Sequence, residues 1–348
     1  SLGTTSLDTI QGEFRKRQNS NEFIEVASQR VDNPSRSWTT KEMLNLEASN
    51  LRSLKQGRDQ YDTLARDETL REIREQGLDS HLTTRQRDAA FDVLRSRDQV
   101  TGLQGSAGSG KTTSLSLIRM AAERDGYEIQ GLAPTTRAAR QLETAGIQST
   151  TLQHLLAQEK QSGESPRRLY VLDESSLAST RQMHEFFNRL QPHDPVLVVG
   201  DIRQHQGVEA GRPFQQMQEA GMRTSRLDEI VRQQDEVLKQ AVDQLSHGKV
   251  GQAITGLRLD GRVHEIADAE QRIKAIARDY VSAPHSTLVI SPDNNSRERI
   301  NRAIHHELQI QGTVERSGYQ MDILSPRHDL TGAERCWASR YEFGDVVR

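Results

Sequence analysis

Residues 105–112 constrain the fold of this chain more than any other part of the sequence. They read GSAGSGKT and fit the pattern G-x-x-x-x-G-K-[ST] at every fixed position. The pattern lies between a short apolar run and a stretch with helical periodicity, as a phosphate-binding loop requires. In such a loop the glycines let backbone N–H groups turn toward phosphate oxygens, and the helix start adds partial positive charge. The segment therefore predicts a strand, a phosphate loop and a helix in succession.

The predicted loop supplies candidate ligands for a nucleotide. Lys111 is expected to reach the β- and γ-phosphates, and the hydroxyl group of Thr112 is expected to hold Mg²⁺. ATP and Mg²⁺ are therefore the predicted cofactors. The candidate nucleotide-binding residues of the loop are Gly105, Gly108, Gly110, Lys111, Thr112 and Thr113.

Apolar, strand-like runs alternate with helical stretches along the middle of the chain. This alternation predicts an α/β fold with a parallel sheet and right-handed crossovers. A polar, helical lead-in over residues 1–80 is expected to pack on this sheet, and a further strand is predicted at residues 287–290. The runs that predict the central strands are residues 100–103, 129–133, 169–172 and 196–199.

Two more strand ends carry residues suited to nucleotide hydrolysis. Asp173 and Glu174 follow the apolar run LYVL. Asp173 can hold Mg²⁺, and Glu174 can orient and deprotonate an attacking water. Gln204, close to the third strand end at Gly200, can contact the γ-phosphate. The acidic pair favours hydrolysis over phosphoryl transfer to a small acceptor, because such a transfer needs no water-activating glutamate.

Composition excludes several other classes of protein. The 348 residues carry 46 Lys and Arg against 49 Asp and Glu, a formal net charge of −3, so any surface for nucleic acid must be local. One cysteine, Cys336, excludes a disulfide scaffold and a multi-cysteine zinc module. No apolar run approaches the length of a membrane span, and no signal peptide is visible. We expect a cytoplasmic protein without membrane insertion.

Together these motifs resemble superfamily 1B helicases, the RecD-like branch, and most closely the helicase region of conjugative (MobF-type) relaxase-helicases. Residues 82–86 are similar to the adenine-recognising Q motif, carried by Gln86. Residues 133–139 and 150–154 are similar to motifs that contact single-stranded DNA, which makes Thr135, Arg137 and His154 the DNA-binding candidates. Residues 229–233 resemble a motif whose arginine, Arg232, would reach the γ-phosphate from a second domain.

The residue pattern predicts an N-terminal helical region over residues 1–80. The resemblance implies a motor function and two further regions, a RecA-like P-loop ATPase domain over 81–225 and an incomplete second RecA-like domain over 226–348. The implied catalytic residues are Lys111, Glu174, Gln204 and Arg232. The implied activity is 5′-to-3′ movement on single-stranded DNA driven by ATP hydrolysis, with the conjugative type IV secretion machinery as a further partner.

The sequence also departs from the family pattern. His205 stands where the family usually has leucine, and the family's last two motifs would lie beyond Arg348, so we expect a truncated piece of a larger protein. An alternative function therefore stays open: a module that binds nucleotide or single-stranded DNA, or that is recognised by the secretion machinery, without unwinding activity. A P-loop regulatory protein is disfavoured by Gln86, Gln204 and Arg232.

Overall fold

The computed structural model describes residues 7–20, 22–26, 37–106, 108–159, 166–202, 211–227 and 235–315. These residues divide into two compact units. One unit comprises Asp8–Leu257, and the other contains the described residues from Arg258 onward. The domain boundaries near residues 80 and 226 stay predictions.

The strands of the described residues form two sheets. β1 (Phe23–Val26) and β2 (Ser37–Thr40) pair in antiparallel fashion. The other six strands form one sheet, in the order β5-β4-β6-β7-β3-β8, in which every neighbouring pair is parallel. They are β3 (Val100–Gly105), β4 (Glu128–Ala133), β5 (Ser149–Thr151), β6 (Arg168–Leu172), β7 (Val196–Gly200) and β8 (Thr224–Leu227).

The predicted α/β fold class with a parallel sheet is confirmed. The four apolar runs form β3, β4, β6 and β7. The sequence does not predict β5 and β8, because their segments, STT and TSRL, are short and mostly polar.

The described residues also form helices, none of which is long and apolar enough to cross a membrane. The first six are α1 (Leu7–Asn19), α2 (Lys41–Gln56), α3 (Asp67–Glu75), α4 (Thr84–Leu94), α5 (Lys111–Arg124) and α6 (Thr136–Glu143). The next are α7 (Leu152–Ala157), α8 (Thr180–Phe187), α9 (Pro213–Glu219), α10 (Glu236–Ser246), α11 (Val250–Leu259), α12 (Ala269–Ser282) and α13 (Asn294–Ile310).

Both faces of the parallel sheet are buried, so helices cover it on both sides. Successive residues of β6 alternate between two cores: Leu169 and Val171 join one, and Tyr170 and Leu172 join the other. Helices α3, α4 and α5 pack into the first core, and α2, α8 and α9 pack into the second. A strand buried on both faces reads as a continuous apolar run, which is why these strands can be predicted from the sequence.

The N-terminal region supplies a helix to each face of the sheet. Leu54 of α2 lies in one core, and Ile73 of α3 lies in the other. Asn50 is buried and donates from Nδ2 to the carbonyl oxygen of Thr180, at the start of α8, over 3.1 Å. Helices α2 and α3 therefore pack on the sheet. The N-terminal region is not wholly helical, however, because it also contains β1 and β2, whose short segments FIEV and SWTT pair with each other.

The strand predicted at residues 287–290 is not formed. This segment pairs with no strand among the described residues, and Leu288 and Ile290 are 83% and 84% exposed. An extended segment needs a neighbouring strand for its backbone hydrogen bonds. The prediction is wrong because an apolar run alone does not provide the neighbouring strand that a β-strand needs. The incomplete second RecA-like domain over 226–348 stays a prediction, since residues 228–234 and 316–348 lie outside the described residues.

Replacing Ile73 with alanine tests whether α3 belongs to the sheet unit. Ile73 is 0% exposed, so Ile73→Ala leaves a cavity and should lower the free energy of unfolding by about 2–5 kcal/mol. Ile254→Ala is the matched control in the same unit, because Ile254 is 49% exposed and its loss should be about 1 kcal/mol or less. Urea denaturation followed by circular dichroism measures both. Equal losses would contradict the packing of α3 on the sheet.

Candidate functional site

The phosphate loop joins the end of β3 to the start of α5, as predicted. Gly108 and Gly110 both have a φ of +84°, a left-handed conformation that glycine adopts without strain. At Gly105 a Cβ atom would lie 2.5 Å from Oγ of Ser109, so the loop closes tightly on this position. The first backbone N–H groups of α5 have no partners within the helix and face this loop. The arrangement can bind an anion.

Lys111, the first residue of α5, extends its side chain along the loop. Its Nζ donates to the carbonyl oxygen of Gly105 over 2.6 Å and to that of Ser106 over 3.3 Å. Thr112 and Thr113 follow in the first helical turn and are partly exposed. The predicted cation and hydroxyl groups therefore lie together at the loop that presents the N–H groups.

The strand order brings the acidic pair close to the phosphate loop. β7 lies between β3 and β6, so the loop and the acidic pair follow strands that are two steps apart, about 10 Å. Asp173 and Glu174 directly follow β6, and the pairing places them level with the end of β7. The register rests on the parallel pairs Gln104 with Gly200 and Leu172 with Val198.

The backbone turns sharply at the acidic pair. Glu174 has a φ of +48°, and a left-handed conformation costs a residue with a side chain about 1–2 kcal/mol. Local hydrogen bonds hold the turn: the N–H of Glu174 donates to Oδ1 of Asp173 over 2.8 Å, and the N–H of Leu177 donates to the carbonyl oxygen of Glu174 over 2.9 Å. Non-glycine residues held in this region often belong to functional sites.

Asp173 lies in an environment that disfavours its charge. Burial raises the pKa of its carboxyl group above the usual value. The hydrogen bond from the N–H of Glu174 and the positive charge of Lys111 act in the opposite direction, and the negative charge of Glu174 raises the pKa further. A partly buried carboxylate in a net unfavourable environment is stabilised by a nearby cation. Asp173 is therefore suited to hold a metal ion together with phosphate oxygens.

Gln86 contacts the phosphate loop directly. It is 5% exposed and lies in the first turn of α4. Its Nε2 donates to the carbonyl oxygen of Ser109 over 3.0 Å, and its Oε1 accepts from the N–H of Thr83 over 3.1 Å. The structure thus brings Gln86 to the nucleotide loop, while the implied contact with adenine stays a prediction.

The DNA-binding candidates lie at the same edge of the sheet, beyond the acidic pair. Ala133 of β4 pairs with Thr151 of β5, so the starts of α6 and α7 are neighbours. Thr135 caps α6, with its Oγ1 accepting from a backbone N–H over 3.2 Å. Arg137 and His154 are exposed in the first turns of α6 and α7. The three residues therefore cluster at one end of the carboxyl edge.

Gln204, His205 and Arg232 lie outside the described residues, so their positions stay predictions. Asp201, which directly follows β7, is described and is 6% exposed. The strand that carries the Gln204 segment therefore ends between the phosphate loop and the acidic pair.

Residues 81–268, more than half of the chain, match the family described as AAA domain. The chain belongs to this family.

Curated relatives of this AAA-domain protein include conjugation proteins and a helicase. The chain is 28% identical over 308 residues to the multifunctional conjugation protein TraI of Escherichia coli K12, covering 73% of this chain and 18% of that protein. It is 31% identical over 234 residues to the probable conjugal transfer protein TraA of Sinorhizobium fredii, covering 65% and 21%. It is 32% identical over 163 residues to the ATP-dependent RecD2 DNA helicase of Deinococcus radiodurans, covering 43% and 22%. The resemblance inferred from the motifs is confirmed, and the chain spans about a fifth of these relatives' lengths.

Solved structures with similarity to the chain include two Pif1 proteins. Bacteroides Pif1 bound to single-stranded DNA has 17% sequence identity and a TM-score of 0.37, covering 57% of this chain and 56% of that chain. Pif1 helicase from Candida albicans has 16% sequence identity and a TM-score of 0.39, covering 63% and 60%.

The AAA domain also contains a site residue that sequence reasoning missed. Ser175 directly follows the acidic pair, is 0% exposed and donates from Oγ to the carbonyl oxygen of Val199 over 2.8 Å. At Gly200 a Cβ atom would lie 2.8 Å from this Oγ. The signal in the sequence is a small hydroxyl residue after the acidic pair together with a glycine at the end of the next strand. This hydrogen bond of Ser175 links the end of β6 to β7.

Asp173→Asn should raise the stability of the AAA domain at neutral pH. Asparagine keeps an acceptor for the N–H of Glu174 and removes the charge that burial disfavours. Because the folded-state pKa of Asp173 is raised, the gain is present at pH values above that pKa. It disappears as the pH falls below the ordinary value of 3.8, where the wild-type group is protonated in both states. Urea denaturation without nucleotide, at neutral and at acidic pH, measures the difference.

Asp125→Asn is the matched control of opposite sign. Burial raises the pKa of Asp125, but hydrogen bonds from Arg66 and Thr69 outweigh burial and leave it lowered. The ionised form therefore stabilises the fold above the unfolded-state pKa, and this contribution is lost as the pH falls through the folded-state pKa. Asp125→Asn should lower the free energy of unfolding at neutral pH. If Asp173→Asn also lowered the free energy of unfolding at neutral pH, burial would not be the dominant influence on the carboxyl group of Asp173.

Proposed function

We propose that this chain is the ATP-dependent 5′-to-3′ DNA helicase or translocase segment of a conjugative relaxase, which hydrolyses ATP to move on single-stranded DNA. The observation that carries the proposal is the placement of the phosphate loop, the end of β7 and the acidic pair on three adjacent strands. The relatives support it, because one is named a multifunctional conjugation protein and another an ATP-dependent DNA helicase.

The residues at the loop fit ATP with Mg²⁺. Backbone N–H groups at Gly110 and the start of α5 would bind phosphate oxygens, and Lys111 would pair with the β- and γ-phosphates. Thr112 and Asp173 would hold Mg²⁺, since a hydroxyl group and a carboxylate are oxygen ligands that this ion prefers. When bound, Mg²⁺ supplies neutralisation of the phosphate charge.

Glu174 is the proposed general base. It would accept a proton from the water that attacks the γ-phosphorus, while the bond from that phosphorus to the bridging oxygen breaks and ADP leaves. Lys111 would stabilise negative charge on the phosphate oxygens in the transition state. Gln204 would contact the γ-phosphate, and Arg232 would reach it from the second domain. Both roles follow from the resemblance.

Single-stranded DNA is proposed to bind at the edge formed by Thr135, Arg137 and His154. Helix starts and exposed hydroxyl groups there are suited to phosphate contacts, and Arg137 adds a positive charge. β4 lies three strands from β3 in the sheet order, so this edge is about 14 Å from the phosphate loop. A distance of this size allows separate sites for DNA and nucleotide. The direction of movement, recognition by the secretion machinery and a cytoplasmic location are part of the proposal through the resemblance.

ATP hydrolysis measured with and without a single-stranded oligonucleotide tests the function. Wild type should be stimulated by the oligonucleotide, and Glu174→Gln should lower the stimulated rate by about 10²- to 10⁴-fold, the contribution of a general base. Glutamine keeps the shape of the side chain, so ATP binding should be retained. Glu185→Gln, an exposed glutamate on α8, is the control and should hydrolyse ATP at the wild-type rate.

Two outcomes would favour other interpretations. ATP binding without stimulated hydrolysis would support the alternative of a binding module. ATP binding by Lys111→Ala with unchanged affinity would contradict the phosphate loop itself, because Lys111 is the side-chain cation proposed to pair with the phosphates.

Arg137→Ala should weaken binding of single-stranded DNA through loss of a phosphate contact. Each such contact contributes about 0.7 to the slope of log affinity against log salt concentration, so this slope should fall by about that amount. Arg140→Ala, one turn further along α6 and also exposed, is the matched control and should keep the slope. Fluorescence anisotropy with a labelled oligonucleotide at several salt concentrations measures both. Equal slopes for all three proteins would exclude Arg137 from the DNA site.

A further inference from the structure

Gln86 spans the gap between the start of α4 and the phosphate loop. At the start of α4 it completes a capping box: its Oε1 accepts from the N–H of Thr83, and its own N–H donates to Oγ1 of Thr83 over 3.3 Å. Toward the loop its Nε2 donates to the carbonyl oxygen of Ser109. Both polar atoms of this carboxamide therefore have backbone partners inside the protein.

The loop is shaped around this carboxamide. At Gly110 a Cβ atom would lie 2.1 Å from Nε2 of Gln86, so the side chain occupies the space that a larger residue would need. Ser109 is 1% exposed, and its Oγ donates to the carbonyl oxygen of Ser106 over 2.9 Å. On the side that faces α4, the peptide between Ser109 and Gly110 is thus in contact with the side chain of Gln86.

Fixing the carbonyl group of Ser109 also fixes the direction of the next N–H group. In a planar trans peptide the C=O and the following N–H point in opposite directions. Because the carbonyl oxygen of Ser109 points toward Gln86, the N–H of Gly110 must point away from α4. A rotated peptide at this position would direct a carbonyl oxygen, instead of a donor, to that side and would repel a phosphate.

We infer that Gln86 is a positioning residue of the phosphate loop: its amide group orients the peptide between Ser109 and Gly110 for phosphate binding, independently of the base. The inference rests on the proposed nucleotide site. It differs from base reading, for which the 5%-exposed carboxamide would have to give up contacts to Thr83 and Ser109. The phosphate affinity of the loop therefore depends on Gln86 even for a ligand that carries no base.

Inorganic tripolyphosphate with Mg²⁺ is the probe, because it carries the phosphates without a base. Gln86→Met keeps the length of the side chain and removes both hydrogen bonds. Calorimetric titration of the full chain should show binding of tripolyphosphate weakened by about tenfold, the effect of losing one intramolecular hydrogen bond that orients the loop.

Gln182→Met is the matched control for the capping role. Gln182 completes an equivalent capping box with Ser179 at the start of α8, where its Oε1 accepts from the N–H of Ser179 over 3.1 Å. This variant should lose a similar amount of thermal stability and keep the wild-type tripolyphosphate affinity. Should Gln86→Met fail to fold, Gln86→Glu takes its place, because glutamate keeps the capping-box acceptor and loses the donor to Ser109.

The outcomes separate the inference from the function on which it rests. Weaker ATP binding by Gln86→Met with unchanged tripolyphosphate binding would overturn the positioning role in favour of base reading. If Gln182→Met lost the same tripolyphosphate affinity as Gln86→Met, the loss would come from general destabilisation of the fold. That result would also overturn the positioning role of Gln86. Absence of tripolyphosphate and ATP binding in the wild type would overturn the nucleotide site itself.

Discussion

Parallel hydrogen bonding between β3, β7 and β6 is the constraint on which the site depends. Parallel strands end at the same edge of a sheet, so segments distant in sequence meet there without any direct contact between them being required. The pairing of Gln104 with Gly200 and of Leu172 with Val198 sets the levels at which the loop and the acidic pair begin. A shift of one residue in either pairing would reverse the faces of a strand whose two sides are buried in different cores. The two cores therefore fix the register of these strands. The register in turn fixes the relative positions of the phosphate loop and the acidic pair.

The same constraint explains why the N-terminal helices are part of the sheet unit. A parallel sheet must be covered on both faces. Helices α4, α5 and α6 contribute buried side chains to one core, and α7, α8 and α9 contribute to the other. α3 and α2 complete these layers, with Ile73 and Leu54 in the respective cores. The hydrogen bond from Asn50 to Thr180 links α2 to the helix that follows the acidic pair. Residues that look like a polar lead-in in the sequence thus support the segment proposed to carry catalysis.

How far the sequence predicts the structure depends on whether the information is local. The phosphate loop, Lys111 and the acidic pair are predictable because glycine positions and apolar runs encode them within a few residues. β5 and β8 are not, because an STT segment joins a sheet only through its neighbour. Residues 287–290 show the opposite error, since an apolar run without a partner remains exposed. The contact between Gln86 and Ser109 joins residues 23 apart in sequence, and no local pattern indicates it. Gln204 and Arg232 stay predictions.

Residues 173–175 also form hydrogen bonds toward both ends of the carboxyl edge. The N–H of Asp173 donates to the carbonyl oxygen of Leu132 in β4 over 2.8 Å, on the side of the DNA candidates. Ser175 donates to Val199 in β7, on the side of the phosphate loop. Glu174 lies between these two anchors in a left-handed conformation that costs free energy. The residues on either side of it are thus each held by a hydrogen bond to a neighbouring strand. A contiguous set of hydrogen bonds therefore runs from β4 through the acidic pair to β7. Coupling between the proposed nucleotide and DNA sites along it is a hypothesis that double-mutant cycles test.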